Sequence, residues 1–367
     1  MQNPSEPDRP PNRREFLKTV GTLSASLACA PSAWAQTGAA PARKKIKLGL
    51  DNFAVRAMNW KAAALLDYAA SLQLDSILIS DLDAFDSHEP EYLRGVKAKA
   101  DGLGLDIHVG TWSICPTSKA FKNKWGTAEE HLALAIRVAQ ALGSPVIRVV
   151  LGTGEDRKTE GGIEARIADT VKVCQACRSR AVDAGVKIAV ENHAGDLQAA
   201  ELVTLIEAAG MDYVGANLDS GNACWTMETP LESLKTLAPY ALTTSLRDSM
   251  VWESENGAKV QWTAMGEGGV DLKIYFATFA ELCPDVPVHI ETISGFAREL
   301  PYLQTDFWNV WPKAKAADFA QFLALAKRGR PLSPHKSADT REEQEYQKGE
   351  LERSLTYCKN TLGLGVR

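Results

Sequence analysis

The sequence predicts an α/β chain folded as a single closed (β/α)8 barrel. Eight short apolar runs of strand character alternate with segments whose apolar residues recur every three or four positions. Strict β/α alternation gives a parallel sheet, and eight strands close on themselves. Four of the runs carry a charged residue at or next to their end: Glu191, Asp219, Arg247 and Glu291. Such an ending is costly in a buried strand unless the charges meet partners. In a parallel barrel all C-terminal strand ends converge on one mouth, where they can.

Taken in order, strands are predicted at 46–52, 76–80, 106–112, 146–151, 187–191, 214–219, 242–247 and 286–292. The run Lys187-Ile188-Ala189-Val190-Glu191-Asn192-His193 begins β-branched and alanine-rich and ends on a carboxylate, an amide and an imidazole. Helices are predicted at 60–72, 89–102, 127–142, 163–184, 197–209, 230–237 and 270–282, with a last one at 316–327. Leu132, Ala135, Ile136 and Ala139 have the spacing of a helix covering a sheet. Gly104, Gly143, Gly185 and Gly210 precede the next strand, where a left-handed residue ends a helix. An open doubly wound sheet is the rival. Against it, Gly152-Thr153-Gly154 lacks the third glycine of a dinucleotide loop. No internal repeat is visible.

Two regions break the rhythm. Residues 249–269 form a polar insertion with Trp252 and Trp262 in alternating runs, predicted as a hairpin ending on Gly266-Glu267-Gly268-Gly269. Barrels place substrate contacts in loops on this face, which makes Glu267 a candidate contact. After Gly329 the chain is rich in Pro, Ser, Glu and Lys, and it reads as a linker and an exposed helix at 340–355. The plan is therefore a leader at 1–35, a linker at 36–45, a barrel domain at 46–330 and a tail at 331–367.

The leader is read from Arg13-Arg14-Glu15-Phe16-Leu17-Lys18, the small-residue apolar core from Thr19 to Ala30, and Ala33-Trp34-Ala35 before Gln36. This is the pattern of a twin-arginine signal peptide with its cleavage site, and it predicts a periplasmic protein. No run of about 18 apolar residues follows, so no membrane span is expected. The chain has 367 residues, 45% hydrophobic, with a net charge of -5. That balance gives no electrostatic footprint for nucleic acid. Seven cysteines include Cys29 of the leader. The compartment would permit disulfides, but Cys174 and Cys177 at helical i, i+3 spacing suit packing or free thiols, and no paired CxxC makes a zinc site. A homo-oligomer is left open.

Glu191, Asp219 and Glu291 carry the chemistry. Three carboxylates at one mouth repel unless a cation neutralises them, and oxygen donors favour hard divalent ions. The alternative for each is a helix cap or a local arginine pair. Val190-Glu191-Asn192-His193, Asn217-Leu218-Asp219, Leu246-Arg247-Asp248, Met265-Gly266-Glu267-Gly268 and His289-Ile290-Glu291 together resemble the xylose isomerase-like TIM barrels of the sugar phosphate isomerase/epimerase group, over roughly 46–329. The resemblance implies one divalent metal (manganese, magnesium or cobalt) bound by Glu191, Asp219, Glu291 and the strand-seven position, here Ser245. It also implies that Glu191 and Glu291 flank the substrate and move a proton beside its carbonyl. The strand-seven pattern H-x-K-D reads Ser245-Leu246-Arg247-Asp248, so serine stands for the histidine ligand and arginine for the lysine.

Other residues complete the expected site. Arg247 suits an enediolate oxygen. His193 shares a strand face with Glu191, so it touches substrate or replaces the lost ligand. Trp112, Trp225 and Trp60 follow strand ends and either stack on a sugar ring or pack. Arg148 pairs with a mouth carboxylate, His289 is core, and His108 is ambiguous; Lys119 and Arg157 are mouth-loop candidates. The expected activity is a metal-dependent isomerase or epimerase of a free sugar or keto-sugar. The alternatives are a lyase or dehydratase using the same enolate, and a carbohydrate-binding barrel. A DNA endonuclease conflicts with the acidic balance and the leader.

Overall fold

The computed structural model describes residues 45–367. The leader and all but the last residue of the 36–45 linker lie outside the described residues. Seven strands come first: β1 (Leu48–Asp51), β2 (Ser76–Ile79), β3 (Asp106–Ser113), β4 (Val146–Val150), β5 (Lys187–Glu191), β6 (Val214–Leu218) and β7 (Ala241–Thr244). A hairpin of β8 (Asp248–Ser254) and β9 (Gly257–Thr263) follows, then β10 (Val288–Ile290) and β11 (Ala297–Leu300). The main sheet runs β10-β1-β2-β3-β4-β5-β6-β7, all parallel. It closes where Leu246, just past β7, bridges Ile290. Leu246 N donates to His289 O at 2.8 Å, and Glu291 N to Leu246 O at 2.9 Å. All residues of β1, β2, β4 and β6 are buried, as a parallel sheet covered by helices demands.

The helices are α1 (Ala62–Ser71), α2 (Pro90–Leu103), α3 (Ala128–Leu142), α4 (Gly162–Ala176), α5 (Arg178–Ala184), α6 (Ala199–Ala209), α7 (Ser220–Trp225), α8 (Pro230–Leu237), α9 (Leu272–Leu282), α10 (Ala316–Arg328) and α11 (Thr340–Asn360). Thr127 starts α3 with a capping box, its side chain accepting from Glu130 N while Glu130 reaches back to Thr127 N. Gly143 ends it in the left-handed conformation, φ +68°. The predicted 163–184 helix is divided at Cys177 into α4 and α5.

Strand seven is shorter than the predicted 242–247. Past Thr244 the pairing continues only as the Ser245 N to Leu218 O bond (2.9 Å) and the isolated Leu246–Ile290 bridge, and Asp248 then turns the chain into the hairpin. Its Oδ1 accepts from Ser249 N (2.7 Å) and its Oδ2 from Gly266 N (3.1 Å) and Gly268 N (2.9 Å). Strand eight likewise shortens from 286–292 to Val288–Ile290. The predicted hairpin is present and gains a third strand, since β11 pairs antiparallel with β9. Helix α10, predicted to follow strand eight, packs on this small sheet: Phe322, Leu325 and Ala326 bury against Val251 and Val260.

The tail corrects a prediction. Helix α11 is not exposed all round but buries one face. Leu351, Leu355, Cys358 and Leu364 join the main core, so α11 serves as the barrel's eighth covering helix. The last residues tie in below: Gly365 N donates to Ile46 O (2.9 Å), and Val366 N to Asp75 Oδ2 (3.0 Å). All six cysteines among the described residues are buried and free. No helix among them is long and apolar enough to cross a membrane.

Candidate active site at the barrel mouth

Glu191 ends β5, Asp219 follows β6, Arg247 lies just past β7, and Glu291 follows β10. The structure brings the three acids together. One carboxylate oxygen from each lies within 4.8 Å of the others, and all three residues are buried. Asp219 is positioned by the element that follows it, as the N-cap of α7, accepting from Asn222 N at 2.9 Å.

Two buried arginines answer this charge. Arg148, projecting from β4, donates from Nε to Glu191 Oε2 at 2.5 Å and from Nη1 to Thr111 O at 3.1 Å. Arg247 donates from Nη2 to both Asp219 Oδ2 and Glu291 Oε2. Asn217 and Asn222 complete the bonding of Glu191, reaching Oε2 at 3.0 Å and Oε1 at 3.1 Å. Burial raises the Glu191 carboxyl above its usual range, with Arg148 opposing. Burial also pushes Asp219 up to about 6, with Arg247 opposing.

A fourth carboxylate, absent from the sequence-derived set, sits at the end of β1. Asp51 Oδ1 accepts from Ser80 Oγ at 2.6 Å, and its Oδ2 accepts from Ser245 Oγ at 3.0 Å. Ser245 Oγ also accepts from Asn217 Nδ2 at 3.3 Å. The hydroxyl expected as a metal ligand thus serves Asp51 and Asn217, and it makes no hydrogen bond to the triad.

Above the acids is a cavity of about 490 Å³, lined by Arg148, His193, Asn222, Arg247, Glu291 and several aromatic rings. His193 Nδ1 lies 2.6 Å from Gly152 O. A carbonyl only accepts, so Nδ1 carries the hydrogen and Nε2 the lone pair. Burial, reinforced by Arg148, lowers the imidazole to about 4 and keeps it neutral. His193 faces the cavity but is not part of the acidic cluster, so it does not replace the missing ligand in this arrangement. Trp112 meets the His193 ring edge-on at 5.2 Å and lines the same cavity.

Trp225 also lines the cavity, but with both faces covered. Its ring stacks on Trp262 at 3.9 Å and 10°. Arg298 lies 4.6 Å from the Trp225 centroid, and Arg247 lies 4.3 Å from that of Trp262. A guanidinium and an indole cannot share one face, so the four side chains form a column, Arg298–Trp225–Trp262–Arg247. Trp225 therefore offers substrate an edge rather than a face.

Several candidates lie elsewhere. Glu267 pairs with Arg353 of α11 at 3.0 Å and does not line the cavity. The backbone N–H groups beside it bind Asp248, which points the Glu267 side chain outward. Trp60 packs edge-on against Tyr68 at 5.0 Å. Arg157 pairs with Glu201 and lies 3.7 Å over Trp311, while Lys119 N donates to Asp156. His108 and His289 sit in the barrel interior, their rings 5.0 Å apart and each near Thr243 Oγ1. Burial lowers both imidazoles and keeps them neutral.

Residues 66–320 match the family described as xylose isomerase-like TIM barrel. The chain belongs to that family. Among its relatives is the uncharacterized protein YihM of Escherichia coli strain K12, 24% identical over 67% of this chain and 70% of that protein. The zinc-bound IOLI protein superposes with a TM-score of 0.53 at 16% identity, covering 76% of this chain and 99% of that one. D-psicose 3-epimerase, solved in the presence of D-fructose, gives a TM-score of 0.51 at 15% identity, covering 76% and 97%. At these identities the superpositions establish the xylose isomerase-like barrel as a fold.

The family implies a divalent metal, and the donors present fit one. Three buried carboxylate oxygens within 4.8 Å make a hard-donor set that could hold an ion. In this xylose isomerase-like barrel, Arg247 Nη2 bonds two of those three donors.

Proposed function

We propose that this protein is a sugar isomerase or epimerase that moves a proton on the carbon beside the carbonyl of a free sugar or keto-sugar. The observation supporting it is that Glu291, Arg247 and His193 line one cavity directly beside the buried acidic triad. Glu191, Asp219 and Glu291 would hold a divalent metal, which when bound would polarise the carbonyl and its neighbouring hydroxyl.

The chain's own groups divide the remaining work. Glu291 faces the cavity and takes the proton as the C–H bond breaks, its electron pair forming the C=C bond of an enediolate. Arg247 has two unpartnered nitrogens, Nε and Nη1, and serves the developing oxygen anion. Glu191, with a carboxylate oxygen within 4.8 Å of that of Glu291, returns a proton to carbon. His193 Nε2 accepts from a sugar hydroxyl, and Trp112 packs against ring C–H groups. The relatives that act on or were solved with sugars support the substrate class. The twin-arginine pattern at Arg13-Arg14 supports export to the periplasm, where free sugars are more accessible than phosphorylated ones.

The test is proton exchange. Incubating metal-supplemented protein with a panel of keto-sugars in deuterium oxide should place deuterium on the carbon beside a carbonyl, read by NMR. A panel that shows neither exchange nor a new sugar would refute the assignment.

A further inference from the structure

Arg247 is built into the acidic cluster. It is 2% exposed, and Gly221 makes room for its stem: a Cβ there would come within 2.4 Å of Arg247 Cγ. Trp262 covers its guanidinium face. Of its three nitrogens, Nη2 alone is bonded, to Asp219 and Glu291, while Nε and Nη1 are without partners. A guanidinium so incompletely bonded is placed by charge rather than by a full hydrogen-bond set. Ser245, at the position the resemblance gives to a metal ligand, is committed to Asp51 and Asn217.

The charge at the mouth leaves room for a further cation. Four buried carboxylates, Asp51, Glu191, Asp219 and Glu291, stand there with two buried guanidinium groups, Arg148 bonded to Glu191 and Arg247 to Asp219 and Glu291. What Arg247 contests is position: Nη2 uses oxygens of two of the three acids that would ligate an ion, and cations sharing them repel. We propose that Arg247 is a tethered cation standing in the divalent-metal position, and that a metal ion binds the triad only by displacing Nη2 from Asp219 and Glu291. The proposal rests on the metal part of the reading above. Its readouts involve no turnover, so it fails independently of the proton-transfer assignment.

The test is calorimetric titration of metal-stripped wild type and Arg247→Met with manganese chloride, together with anomalous diffraction from manganese-soaked wild-type crystals. Methionine keeps the volume against Gly221 and Trp262 but removes the competing charge. Arg247→Met is expected to bind one ion on the order of 10- to 100-fold more tightly, as loss of competing charge-assisted bonds implies. In the wild type, manganese is expected between Asp219 and Glu291 with the Arg247 side chain moved off both. Equal or weaker binding by Arg247→Met overturns the proposal. So does manganese at the triad with Arg247 still bonded to both acids, or no manganese there at saturation. Should Arg247→Met fail to fold, the wild-type diffraction decides alone.

Discussion

Ser245 Oγ donates to Asp51 Oδ2 at 3.0 Å, tying the end of strand seven to the end of strand one across the barrel mouth. Both residues are fully buried, so removing the donor leaves a carboxylate oxygen without that partner. Ser245→Ala is expected to lower stability by about 1–3 kcal/mol, measured by urea unfolding. No change would mean that the bond is not maintained in solution.

Glu191 and Glu291 should separate when each is made neutral. Either Gln variant is expected to lose roughly 10²–10⁴-fold in turnover, the usual worth of a proton-transfer group. Stability should differ between them. Glu191→Gln leaves Arg148 buried without its ion-pair partner and is expected to cost about 3–5 kcal/mol. Glu291→Gln leaves Arg247 paired with Asp219 and should cost less. Thermal melts beside turnover assays would check both, and equal melts would argue against the Arg148 pairing.

A pH dependence follows from Glu228, which does not line the cavity. Burial pushes its carboxyl up to about 7, while Oε2 accepts from Ala199 N at 2.9 Å and Thr226 Oγ1 at 3.2 Å. The folded state thus holds this proton more tightly than the unfolded chain. Its contribution is present below about pH 4.5, the ordinary value, and is lost as pH rises through about 7. Glu228→Gln should therefore gain on wild type between pH 5 and pH 8. Parallel melting curves across that range would refute it.

Helix α11 can be tested at Leu351, which is fully buried in the main core. Leu351→Ala is expected to cost about 2–5 kcal/mol. An exposed tail helix would tolerate the change, so a shift under about 0.5 kcal/mol, typical of surface sites, would remove α11 from the barrel wall.

Export is a separate matter. Replacing Arg13 and Arg14 together by lysine should leave unprocessed precursor in the cytoplasm, detected by fractionation and N-terminal sequencing. A mature chain beginning near Gln36 in the periplasm would show that another route is used.

Much of the barrel was legible because buried strands leave a strong apolar signal and the acids that close them stand out. Glu191, Asp219 and Glu291 carry that mark. Asp51 carries the same signal after Leu48-Gly49-Leu50, but with the predicted strand running on to Asn52 it does not stand at the strand end as Glu191 and Asp219 do. The inner face of α11 was hidden by its composition: only six of its 21 residues are buried, and Gln347, Glu350 and Ser354 are among them. Hydropathy sees a charged helix there, whereas packing uses a narrow stripe. The Arg247–Trp262 contact depends on a hairpin folding back over the mouth, a long-range event with no local sequence mark. The outward direction of Glu267 is hidden for the same reason, since it is set by Asp248 binding the backbone on either side of it.

The Trp225–Trp262 stack has an optical consequence. Two indoles nearly parallel at 3.9 Å have coupled electronic transitions, so they absorb as a dimer rather than as two separate chromophores. Their exciton couplet in circular dichroism would report the geometry of the mouth directly. Because Arg247 lies against one ring and Arg298 against the other, movement of either guanidinium should change that signal without any added label.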